Sequence, residues 1–153
     1  MSAGGGRQQL QALSQELQEI EGEIQEVRAS IEELETEQSE IDEAIEALET
    51  LDTGSTVQVP LGGGAYLRAE VQDIDEAIVK LGADVAAEQE QDQAISSLEL
   101  KREAIDDRIG DLEEEVSDLE SESAEIEQQA QQLQQQLQQQ QMQQLQQQQQ
   151  PDE

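Results

Sequence analysis

Residues 55–71 read STVQVPLGGGAYLRAEV and break the pattern on either side of them. The flanking chain is Glu, Gln and Leu in a helical rhythm. Here it becomes β-branched, gains Pro60 and a run of glycines, and carries Tyr66, the sole aromatic residue. Val57, Val59 and Leu61 alternate with polar residues before Gly62-Gly63-Gly64; Ala65, Leu67, Ala69 and Val71 alternate after it. Two alternating runs about a glycine turn predict a β-hairpin, with Pro60 near a strand end or on an edge. A second pair of runs follows, residues 77–81 and 84–87 about Gly82-Ala83, with Asp73-Ile74-Asp75-Glu76 bridging the two. Four short strands make a small sheet whose edges invite pairing with other chains. The segment 51–87 is therefore expected to be an assembly element. Val57, Val59, Leu61, Leu67, Val71, Val79, Leu81 and Val85 are its candidate oligomerisation contacts.

Outward from this connector the period changes. Leu10, Leu13, Leu17, Ile20, Ile24, Val27, Ile31, Leu34, Gln38, Ile41, Ile45 and Leu48 follow a strict 3-4 spacing. With Leu10 as a, these are unbroken a and d positions of a coiled coil. The pattern returns at Ile95, Leu98, Arg102, Ile105, Ile109, Leu112, Val116, Leu119, Ser123, Ile126, Ala130, Leu133 and Leu137. At 1.5 Å per residue the arms would span roughly 60 Å and 75 Å. Each has a narrow apolar stripe and needs a partner. Two near-equal arms around a compact connector favour an antiparallel hairpin within one chain. With Leu48 set opposite Ile95, Gln38 and Arg102 fall in adjacent layers. A buried polar group wants a nearby partner, although Arg102 can also extend its head to solvent. The expected fold is mainly α: a long antiparallel two-helix coiled coil with two β-hairpins in the connector. The expected segments are a flexible N-terminus (1–6), a first helix (7–50), the double hairpin (51–87), a second helix (88–140) and a frayed Gln-rich tail (141–153) closed by Pro151.

Composition narrows the function. The 153-residue chain has no Cys, His, Phe or Trp. That removes disulfides, thiol nucleophiles, His-based metal sites and the commonest general base. A net charge of −31 disfavours a nucleic-acid binder. It fits adaptation to a salt-rich cytoplasm, with Lys80 and Lys101 the only lysines. The opening MSAGGGRQQL has no apolar run, and no stretch approaches the ~20 apolar residues of a membrane span. A cytoplasmic location without membrane contact is expected.

Residues 57–89, VQVPLGGGAYLRAEVQDIDEAIVKLGADVAAEQ, set between two coiled-coil arms, resemble the alpha class of the archaeal prefoldin family. The turn VPLGGGAYL and the second hairpin AIVKLGADVAAE look like the paired hairpins of that class; the beta class has one. The resemblance covers essentially the whole chain, apart from the long Gln tail. It implies an ATP-independent holdase, not an enzyme, without cofactor or metal. Two alpha and four beta subunits would join through their hairpins. The arm tips would hold non-native polypeptides and pass them to a group II chaperonin. The alternative from the residues alone is a structural or tethering coiled coil.

Other motifs weigh less. Asp52-Thr53-Gly54-Ser55 spells an aspartic-protease motif, but such a site needs two aspartates in a β-rich fold; Gly54 is expected to cap the first helix. Gly62-Gly63-Gly64 lacks the Lys and Ser/Thr of a P-loop. Asp73, Asp75 and Glu76 lack the spacing of an EF-hand. Leu10, Leu13 and Leu17 at one arm end, and Leu133, Leu137 and Met142 at the other, read either as ordinary seam or as an exposed apolar clasp. The resemblance favours the clasp, as a substrate-binding surface.

Overall fold

The structure, a computed structural model, describes residues 3–148. Helix α1 (Ala3–Thr50) leads into strands β1 (Thr56–Gly62) and β2 (Ala65–Glu70). A 3-10 turn at Ile74–Glu76, strands β3 (Ala77–Gly82) and β4 (Val85–Gln89), and helix α2 (Gln91–Gln148) complete the chain. The fold is mainly helical, two long helices with two small antiparallel hairpins between them. Two compact units divide it: Met1–Ile31 with Asp111–Glu153, and Glu32–Gly110.

In the first unit α1 and α2 pack antiparallel along their a and d positions. Ile20, Ile24, Val116 and Ile126 are buried, with Leu13, Leu17, Val27, Ile31 and Leu119 packed against them. Arg28 and Glu120, both e positions, pair at 2.7 Å on the flank, as antiparallel pairing of these heptads requires. The helix starts earlier than expected: residues 3–6 are helical rather than flexible. A Cβ placed on Gly6 would lie 2.5 Å from Leu137 Cδ2, so the Leu137 side chain of α2 covers this turn and would have to shift for a larger residue. At the other end α2 runs beyond residue 140 to Gln148. Gln is a fair helix former, and an established helix propagates at little cost. Pro151 lies outside the described residues.

In the second unit Ile41, Val79, Ala94, Ile105 and Ile109 are buried. The adjacent polar layers meet through the backbone, Gln38 Nε2 donating to the Arg102 carbonyl at 3.5 Å, while their side chains also reach flanking carboxylates. Gln38 Nε2 donates to Asp106 Oδ1 at 3.0 Å, and Arg102 Nε lies 2.6 Å from Asp42 Oδ1. Arg102 thus carries its charge out of the seam to a flanking carboxylate. On the opposite flank Lys101 Nζ lies 3.8 Å from Glu37 Oε1.

The hairpins form separate two-stranded sheets, so each strand keeps one unpaired edge. In the first, Thr56–Pro60 face Glu70–Tyr66 in order, then Gly62 faces Ala65, which leaves Leu61 as the extra residue of a bulge. In the second, Ala77–Lys80 face Gln89–Ala86, Gly82 faces Val85, and Leu81 is the extra residue. Both turns have two central residues with positive φ: Gly63 (+61°) and Gly64 (+81°), then Ala83 (+47°) and Asp84 (+63°). This is the type I′ pattern, whose twist matches the strands. The second turn therefore sits one residue later than the sequence suggested, with Gly82 in the strand and Asp84 out of it. The strand β4 also runs to Gln89, past the expected boundary at residue 87.

The bridge between hairpins is a capping knot. Asp73 Oδ1 accepts from the Asp75 N–H at 3.0 Å, and Thr53 Oγ1 accepts from the Ile74 N–H at 3.1 Å. Asp75 Oδ1 accepts from the Gln91 N–H at 3.2 Å, so it supplies the first turn of α2 with an acceptor. The Gln91 side chain closes α1: Nε2 donates to the Leu48 carbonyl at 2.5 Å and the Leu51 carbonyl at 3.2 Å. Gly54 does not cap α1, contrary to expectation. It lies in the turn closed by the Ser55 N–H to the Asp52 carbonyl at 3.0 Å. Its φ of +91° suits the third position of a type II turn.

Candidate functional site

Each hairpin has one apolar face, set by strand alternation, and that face divides into a covered base and an uncovered tip. In the first hairpin Val57 and Ala69 at the base are half-buried. Val57 shares a groove with Ala47, Thr50 and Leu51 at the end of α1. Toward the turn, Val59, Leu61 and Leu67 are exposed, Leu61 at 64%. In the second hairpin Val79 is buried at 7%, whereas Leu81 and Val85 at the tip are exposed. Val71, between the hairpins, is half-buried.

Of the eight sequence-predicted contacts, Val57, Val71 and Val79 are therefore engaged within the subunit. Val59, Leu61, Leu67, Leu81 and Val85 face outward. On the hairpins two further exposed apolar residues escaped the sequence reading, Tyr66 and Ile78, as did Leu100 on α2. A signal was available for part of this: Val59-Pro60-Leu61-Gly62 returns as Val79-Lys80-Leu81-Gly82. That repeat makes Leu61 and Leu81 equivalent, and both are bulge residues thrown outward beside a turn.

At the helix ends the predicted clasp separates into two sets. Leu10, Leu13, Leu17, Leu133 and Leu137 are half-buried seam residues. Leu13 and Leu133 line an open groove of about 360 Å³ walled by Gln9, Gln129, Gln132 and Gln136. A second groove of about 340 Å³, lined by Gly6, Leu133 and Leu137 among others, lies beside it. Met142 is different, exposed at 68%, and so is Leu145 at 58%, which sequence reasoning left out of the site. By the heptad phase of Leu137, Met142 is an f and Leu145 a b position, off the seam and on the outer face.

The carboxylates of the connector are not gathered for chemistry. Asp73 and Asp75 are occupied as caps. Among the described residues no group of three Asp or Glu side chains is arranged to hold a metal ion. No described helix is long and apolar enough to cross a membrane. What the surface offers is two kinds of apolar patch, hairpin tips and the ends of long helices.

The prefoldin subunit family model matches residues 20–150. The chain belongs to the prefoldin family. Within it, the similarity is to alpha subunits. The chain is 69% identical over 111 residues to prefoldin subunit alpha of Halorubrum lacusprofundi, covering 72% of this chain and 73% of that one. To prefoldin subunit alpha of Haloarcula marismortui it is 62% identical over 106 residues, 69% of each chain. Both relatives come from halophilic archaea. A cryo-EM structure of filamentous PFD from Methanocaldococcus jannaschii aligns with a TM-score of 0.64 at 23% identity, covering 74% of this chain and 96% of that one. That likeness establishes the fold.

Proposed function

We propose that the chain is the alpha subunit of a cytoplasmic, ATP-independent holdase. Its hairpin tips join beta-class subunits, two alpha with four beta. The helix ends hold non-native polypeptides and pass them to a group II chaperonin. The observation that carries this reading is the outer-face pair Met142 and Leu145, exposed at the end of α2 and spent on no seam. Met is unbranched and adaptable, which suits contacts with varied apolar segments. The Gln around them keeps the surface soluble without charge. Nothing in the mechanism needs bond chemistry: a client apolar segment is covered, its aggregation slows, and release follows by competition and mass action.

The test is suppression of aggregation of a denatured client by the assembled complex. Met142→Ser with Leu145→Ser should remove much of the suppression while leaving helicity and assembly intact. Adding Leu10, Leu13, Leu133 and Leu137→Ser should remove the rest. Full activity in the six-fold variant would refute capture at the helix ends. A chain that assembles yet never suppresses aggregation would be a tether.

A further inference from the structure

The chain's only two lysines, distant in sequence, line one groove. Lys80 on β3 and Lys101 on α2, with Gly82, Ala83, Asp84 and Ala86 of the second hairpin, enclose about 300 Å³. In a chain of net charge −31 this is an unusual concentration of ammonium groups. Neither is well used within the subunit. Among the described residues Lys80 has no carboxylate within ion-pair distance, and Lys101 has only Glu37, at a loose 3.8 Å. Asp84 borders the groove without pairing to either lysine. Lys80 faces Ala86 across the hairpin, and alternation along β4 puts that pair on the face opposite Val85, so the exposed apolar Val85 and the basic groove are two sides of one small element.

We propose that this groove receives a carboxylate side chain of a partner prefoldin subunit, clamped between Lys80 and Lys101 when the hairpin tips meet. The inference rests on the assembly role given to the tips above and adds the chemistry by which the partner is recognised. Charge complementarity selects the occupant: two under-used cations in a concave site with small Ala83 and Ala86 walls fit a carboxylate on a protruding strand or loop. In molar salt the Debye length is about 3 Å, so long-range steering by charge is lost. A charge contact that survives there has to be direct and partly shielded from solvent, which a groove provides and a flat surface does not.

The chain assembled with a beta-class prefoldin subunit is treated with a carbodiimide, which joins an amine to a carboxylate only when the two are in contact. The products are then mapped by mass spectrometry. Amide links from Lys80 and Lys101 to Asp or Glu of the partner are expected. Lys80→Gln with Lys101→Gln should weaken association about tenfold or more, and the Lys→Arg pair should retain it. The proposal is overturned if the complex forms but both lysines react with an acetylating reagent equally in free and assembled chain. It is also overturned if inorganic phosphate alone protects them in the free chain, which would make the groove a small-anion site. Failure of the wild-type chain to associate at all would remove the assembly reading and this one with it.

Discussion

Gln91 is the residue on which both helices of the connector end depend. Its side-chain amide donates to the Leu48 and Leu51 carbonyls, and its N–H is held by Asp75. Gln91→Ala removes the two side-chain bonds and leaves the third. A net hydrogen bond contributes about 0.5–1.5 kcal/mol, so two of them set a loss of about 1–3 kcal/mol. For a chain of this size each kcal/mol moves the melting point by about 2–4 °C. Thermal melts followed by circular dichroism in molar KCl should show Gln91→Ala lower by about 2–12 °C. Gln91→Glu separates the cap from mere side-chain volume. The carboxylate has nearly the same shape but only accepts hydrogen bonds, so it faces two carbonyl oxygens with nothing to donate. It should be less stable than the alanine variant. A Gln91→Ala melt within 1 °C of wild type, or a glutamate variant as stable as the parent, would refute the capping assignment.

Stability should also rise with salt. Glu21, Glu35, Asp42, Glu99, Asp106, Glu113, Glu120 and Glu127 occupy e positions, and among the described residues only Glu120 and Asp42 of these are ion-paired, to Arg28 and Arg102. At about 0.2–0.5 kcal/mol per like-charge pair, molar KCl should add about 1–2 kcal/mol, and a melting point that is flat or falls with KCl would contradict this. Ala83 at φ +47° sits where an L-residue costs about 1–2 kcal/mol and Asn is better tolerated. Ala83→Asn should therefore raise the melting point, and a drop would show the turn is not strained. Gly22 and Gly110 lie in helix with nothing within 4 Å of an added Cβ. Each Gly→Ala change should stabilise by up to about 1 kcal/mol in denaturant titrations, and a loss would reveal a close approach at that position.

Much of this molecule is legible because its elements are long and periodic. The 3-4 spacing from Leu10 to Leu48 identifies the seam, and the e–e pair Arg28–Glu120 follows from it. Alternation around Gly62-Gly63-Gly64 identifies the first hairpin. The misses are where tertiary contact overrides local signal. Residues 3–6 look flexible because glycine disfavours helix, yet Leu137 lies across Gly6. Val79 has the same alternating pattern as Leu81, but burial of the hairpin base takes one inward and leaves the other out. Gln91 carried no signal, because capping a helix distant in sequence depends on where the chain returns. Asp73 and Asp75 lack the spacing of a cation loop, but their capping role is not legible because sequence shows charge, not the N–H groups that the carboxylates face. The apolar residues Met142 and Leu145 leave the seam through a change of helical phase that is visible only against the heptad of Leu133 and Leu137.

Native mass measurement of the chain co-expressed with a beta-class subunit, with and without Leu61, Leu67, Leu81 and Val85 changed to Ser, tests most directly whether the hairpin tips make this a subunit of a mixed chaperone. The wild-type chain should appear in complexes of two alpha and four beta subunits, and the Ser variant as a helical monomer. Mixed complexes that persist unchanged in the variant, or a wild-type chain that forms only complexes with itself, would contradict it.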